Sequence, residues 1–111
     1  MNSLGFVEVQ SVTAAVDCLD IMCKAADVNF ITWERKLGGR LVTIIVEGQI
    51  SAVKAAVDSA IAASIIKPAA TAVIASPHSE TVRMVNLSAS RLKKLKKQAD
   101  KTKTEQYIQE V

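Results

Sequence analysis

Few residues in this chain are typed and spaced for chemistry, and each set lacks a partner. His78 is the only histidine and follows Pro77. No serine or cysteine stands at a spacing that would make it the base of a nucleophile. Cys18 and Cys23 lie five apart on a helical pattern and point in different directions, whereas helix-borne metal pairs sit three or four apart. Two cysteines this close make no disulfide framework, so both are expected as small buried side chains in a reducing cytoplasm. Asp17, Asp20 and Asp27 share a helix face, but Lys24 interrupts them, as on a solvated surface rather than in a carboxylate pair built for acid–base work. Trp33 offers a ring to stack on a ligand, or to fill a core or subunit interface. The residues point to no enzyme, cofactor or metal site.

The densest constellation is Lys36-Leu37-Gly38-Gly39-Arg40, with Arg35 just before it. Adjacent glycines accept positive φ at no steric cost, which predicts a tight turn between two antiparallel strands. The turn is thereby a small cationic protrusion. It is too short to cradle a phosphate: no further glycine follows at nucleotide-binding spacing, and a strand rather than a helix comes next.

The elements that position this turn are legible from hydrophobic period. Leu4 to Val9 is a short strand. Ser11 is placed as an N-cap for a helix over 12–27, with Val12, Ala15, Val16, Leu19, Met22, Cys23 and Ala26 as its apolar face. Residues 28–34 form a second strand and Leu41 to Glu47 a third, nearly continuous in apolar residues. A helix over 50–66 carries Val53, Val57, Ala60 and Ile61 on one side and stops before Pro68. Ala72 to Ala75 form a fourth strand, and 79–87 a short helix. The order βαββαβ predicts an α+β, split βαβ fold: a four-stranded antiparallel sheet with two helices on one face, plus a helical C-terminal extension. The second sheet face then needs a cover.

One domain is all that 111 residues allow, and half of them are hydrophobic while only 4% are aromatic. Such a core is built of Ala, Val, Ile and Leu, and the apolar surplus suits burial between subunits. No apolar run reaches the roughly 18–20 residues that span a bilayer, and no signal-peptide pattern opens the chain, so no membrane role is expected. The net charge of +3 is unevenly held: residues 1–90 sum to −1 and residues 91–111 to +4. The boundaries expected are a domain over 3–87 and a basic extension over 88–111, helical or disordered. The extension is suited to solubilising the chain, to docking a protein, or to non-specific phosphate contact. Its cations are not interleaved with aromatics, which argues against nucleic acid.

Read in order, L-G-F-V-E-V (4–9), M-C-K-A-A-D-V (22–28), K-L-G-G (36–39), L-V-T-I-I-V-E-G (41–48), A-V-K-A-A-V-D-S-A (52–60) and S-P-H (76–78) form a set. With it the chain resembles the single-domain hexameric shell proteins of bacterial microcompartments, over roughly residues 3–85. The resemblance implies homohexameric tiles in the facets of a shell in the bacterial cytoplasm. It implies that Lys36, Leu37, Gly38 and Gly39, with Arg40 beside them, line a central pore for small polar or anionic metabolites. It further implies that Lys24, Ser76, Pro77 and His78 lie at the hexamer edge. Partners would be other copies, other shell proteins and enclosed enzymes, the last reached through the tail. The missing sheet cover would come from neighbouring subunits.

Three departures from the family pattern stand out. Arg40 replaces a small residue, Ser76 an arginine used between tiles, and Glu47-Gly48-Gln49 a basic-Gly-acidic trio, so that the second helix loses an acidic cap. Two other classes fit the same elements. One is a small oligomeric ligand-binding module of ferredoxin-like fold, the other an adaptor whose basic tail binds cargo or nucleic acid.

Overall fold

A computed structural model describes residues 2–110, with side chains through residue 101. The side chains of Lys103, Glu105, Tyr107 and Glu110, and all of Val111, lie outside the described residues of the expected extension. The elements are β1 (Ser3–Val9), α1 (Val12–Ala25), β2 (Asn29–Lys36), β3 (Leu41–Gly48), α2 (Ile50–Ala63), β4 (Ala70–Ile74) and α3 (Ser79–Glu110). The sheet order is β2-β3-β1-β4, and every pairing is antiparallel. This is the split βαβ arrangement expected from the element order.

Alternation along the two central strands divides the molecule. Gly5, Val7 and Val9 pair with Val46, Ile44 and Val42, and the valines and Ile44 join a core with α1 and α2. α1 meets it through Ala14, Ala15, Cys18 and Met22, and α2 through Val53, Ala56, Val57 and Ala60. The inward face of α1 is therefore turned from the expected one: Val16 is 55% exposed and Cys23 is exposed. Ile61 of α2 is exposed too. α1 packs beside α2 as well as on the sheet, and small Ala14 and Cys18 suit that second contact better than Val16. Ser11 caps α1 as expected, its Oγ accepting the Ala14 N–H at 2.9 Å. Gln49 stands at the N-cap of α2 and makes no side-chain cap bond.

α2 ends well short of Pro68. Ser64 is already extended, its Oγ donating to the Ile66 carbonyl, and the Ile65 N–H donates to Asp17 Oδ2 at 2.9 Å. A contact from α1 thus terminates the helix before proline sterics are needed. Burial, eased by a hydrogen bond with Ser64 and reinforced by nearby Asp17, pushes the Cys18 thiol up.

The second sheet face is covered from within the chain. α3 is one helix of 32 residues, about 48 Å at 1.5 Å per residue, and it runs through position 88 without a break. It packs on β2, and its Val85 meets Leu4 of β1 and Ile45 of β3, with Phe6 and Ile31 alongside. A bulge between Phe30 and Thr32 turns Ile31 toward that side. Thr32, fully buried, shares a 2.9 Å hydrogen bond with Ser88 Oγ, and Ser88 also donates to Glu34.

Two outcomes follow from this packing. A Cβ on Gly5 would lie 2.8 Å from Val53 Cγ1, so Gly5→Ala should cost about 1–3 kcal/mol by overpacking. Denaturant midpoints should show part of that loss restored in Gly5→Ala/Val53→Ala, which removes the offending methyl. Thiol titration with a chromogenic disulfide should modify Cys23 rapidly in the folded protein and Cys18 only on unfolding, since a buried, proton-retaining thiol is a poor nucleophile.

Candidate functional site

The β2–β3 hairpin ends in a single 3₁₀ turn, Leu37–Gly39, whose residues all have positive φ: 55° at Leu37, 66° at Gly38 and 86° at Gly39. The glycines take this backbone freely. For Leu37 the left-handed region costs about 1–2 kcal/mol, and its side chain nonetheless stands 67% exposed. The Leu37 carbonyl accepts from the Arg40 N–H at 3.3 Å and from Arg40 Nε at 3.1 Å. Arg40 is thus exposed but tied back across the turn. A Cβ on Gly38 would meet nothing within 4 Å, while one on Gly39 would lie 3.1 Å from Val12. The tip is therefore open on one side and seated on the start of α1 on the other. Arg35, Lys36 and the turn line a depression of about 370 Å3. The Arg35 guanidinium lies 5.6 Å from the Trp33 ring centre, and Trp33 packs against the main core, one of the places expected for it. The structure thus gathers Lys36, Leu37, Gly38, Gly39 and Arg40 on one exposed tip.

The other singled-out residues lie elsewhere. Lys24, on α1, pairs with Asp20 Oδ2 at 2.7 Å, and this hydrogen bond and charge hold its ammonium more firmly protonated. Ser76, Pro77 and His78 join β4 to α3. Ser3 Oγ donates to the Ala75 carbonyl at 2.8 Å, fixing the start of that joint. His78 caps α3: Nδ1 accepts the Glu80 N–H at 3.0 Å and its carbonyl accepts the Val82 N–H at 3.1 Å. No group of histidine, cysteine and acidic residues able to hold a metal ion occurs among the described residues, and no helix among them is long and apolar enough to cross a membrane.

Sequence reasoning missed the Thr32–Ser88–Glu34 chain, which Arg91 joins at 3.8 Å from Glu34. The available signal was phase: Ser88 falls on the same helical stripe as Val85 and Leu92, opposite a strand that alternates Thr32 and Glu34. It missed also a cleft of about 630 Å3 between α3 and the sheet, lined in part by Phe6, Ile45, Met84 and Leu87.

The BMC domain family matches residues 3–77 of the chain. Bacterial microcompartment shell protein PduA of Citrobacter freundii is 40% identical over 86 residues, 76% of this chain and 91% of that protein. Bacterial microcompartment shell protein EutK of Escherichia coli (strain K12) is 44% identical over 64 residues, 58% of this chain and 38% of EutK. The fold matches the crystal structure of a microcompartments protein from Desulfitobacterium hafniense DCB with a TM-score of 0.67 at 22% identity. That match covers 79% of this chain but only 48% of the other, so the chain spans about half its length. On the family match and the length shared with PduA, the chain belongs to the BMC domain family of bacterial microcompartment shell proteins.

Proposed function

We propose that the protein is a non-enzymatic structural tile: a homohexamer in a microcompartment facet in the bacterial cytoplasm, with a cationic central pore. The observation that carries this reading is the exposed hairpin tip, where three consecutive positive-φ residues present backbone, Lys36 and Arg40 together. A ring of such tips around a symmetry axis would offer backbone donors through the small Gly38 and Gly39. It would also add one cation ring or more, favouring small polar and anionic metabolites over apolar ones. Leu37, apolar and exposed on the same tip, would narrow the opening.

In this reading residues 3–87 are the shell domain and 88–111 an extension whose described part continues the same helix. Lys24, Ser76, Pro77 and His78 lie at the hexamer edge. Asp20 holds Lys24 charged there, and the His78 cap fixes the joint that carries Ser76 and Pro77. Assembly with other shell proteins follows from the family, and the extension adds a contact to other shell or enclosed proteins.

Size-exclusion chromatography with light scattering at micromolar concentration should give a six-chain particle; a monodisperse monomer would overturn the tile. In hexamers reconstituted in a planar bilayer, the anion preference read from the reversal potential should fall in the order wild type, Arg40→Gln, Arg40→Glu. The last change should lower it by about tenfold at low ionic strength. If Arg40→Glu prevents hexamers from forming, the Leu37 tie makes Arg40 structural and the pore assignment fails.

A further inference from the structure

α3 lies toward the β2 side of its sheet face and leaves a cleft beside it. Val85 packs with Leu4 and Ile45, Ser88 bonds Thr32, and Arg91 reaches Glu34 at 3.8 Å. The helix therefore advances in the direction in which β2 itself runs. The cleft, about 630 Å3 in volume, has as its floor Phe6 and Ile45, which face each other across β1 and β3. Met84 and Leu87 form the wall, 64% and 51% exposed.

That shared direction sorts the cleft along its length. Thr81 marks one end, and Arg91 stands at the other, about 15 Å further along the helix. Lys36 follows Glu34 by two on β2, so it takes the same sheet face and joins Arg91 there. Glu34 is the one acid among the described residues that line the cleft, and it already accepts from Ser88. A guanidinium has five N–H donors, so the Glu34 contact leaves Arg91 able to hold a second anion. The cleft is thus apolar along its middle and cationic at one end.

We propose that this cleft binds a small aliphatic acid in its carboxylate form. The chain would lie on Phe6, Ile45, Met84 and Leu87, and the carboxylate would take charge-assisted hydrogen bonds from Arg91 and Lys36. The volume is in the range of small-molecule sites, which pair an apolar lining with a few convergent polar groups. The polarity of the cleft selects the occupant. A purely polar anion would leave the floor wet, and a cationic amphiphile would meet Lys36 and Arg91 with the wrong sign. A bilayer reaches protruding apolar side chains, whereas Phe6 and Ile45 lie at the bottom of a recess. All of these residues come from one protomer, so the site does not rest on the tile. Lys36 lines the depression at the hairpin tip as well, and an occupied cleft would draw on the same charge.

The test titrates the full chain with hexanoate, octanoate and decanoate below their micelle concentrations, followed by calorimetry and by methyl NMR. Binding should saturate at one per chain, and affinity should rise about two- to fourfold for each methylene added. The methyls of Ile45, Met84 and Leu87 should shift, and those of Val16, Ile61, Ile65 and Ile66 should not. Arg91→Gln should weaken decanoate by about tenfold, as should Met84→Gln/Leu87→Gln, while Lys54→Glu on α2 leaves it unchanged. Circular dichroism checks that α3 persists in each variant, as expected for exposed positions. Absence of binding would overturn the proposal, as would affinity indifferent to chain length or equal affinity for decyltrimethylammonium. So would unsaturable uptake, shifts centred on Val16 and Ile61, or a preference for anionic vesicles over free decanoate. Light scattering on the same samples separates the two readings: a hexamer that ignores decanoate removes this site alone, and a monomer that binds it removes the tile alone.

Discussion

The register between β1 and β3 is the constraint on which the rest depends. It sets Gly5 opposite Val46, Val7 opposite Ile44 and Val9 opposite Val42. Side chains alternate along a strand, so a slip of one residue would send every one of these to the wrong face. The correct register places the valines and Ile44 under α1 and α2, and leaves Leu4, Phe6 and Ile45 for α3. Gly5 sharpens the choice. At its position α2 comes so close that no side chain fits, so only one alignment of strand and helix brings the layers together.

Both faces are then buried, by different physics. The first is an apolar contact with two helices, built from small and branched side chains. The second is a smaller apolar patch joined to a polar chain, Thr32–Ser88–Glu34. A buried hydroxyl without a partner costs about 1–3 kcal/mol, and no buried side-chain donor or acceptor is left without one among the described residues. Thr32 therefore favours one seat of α3, the one that brings Ser88 over it. Apolar burial supplies attraction there, and the hydrogen bonds supply position.

What the sequence made legible was whatever depended on neighbours along the chain. The turn at Gly38-Gly39, the Ser11 cap and the order of elements follow from local backbone chemistry, and so does the cationic tip. Residues decided by contacts between distant elements were not legible. Val16 and Cys23 fit a helical stripe as well as Ala14 and Cys18 do, and only the neighbouring α2 decides between them. The end of α2 is set by Asp17, forty-eight residues before the amide that it accepts. Ile31 is displaced by a bulge that strand periodicity does not announce. A helical extension after position 88 was expected beside a disordered one, because the fall in hydrophobicity there resembles a tail; its continuity with the helix that begins at Ser79 was not legible. Without proline or glycine to stop it, a helix already seated by Val85 and Ser88 continues.

The exposed apolar residues fall in two groups. Val16, Ile61, Ile65 and Ile66 stand on α1, α2 and the segment that follows α2, whereas Leu37 shares the hairpin tip, and Met84, Leu87 and Leu95 share α3, with cations. Exposed apolar side chains of this size serve a small domain best when another chain covers them. Because the first group shares no element with the tip or α3, the charge of either can vary without altering the apolar surface that group offers to other chains. Arg40, Lys93, Lys94, Lys96, Lys97 and Lys101 are all exposed, laid on a frame whose core they do not touch.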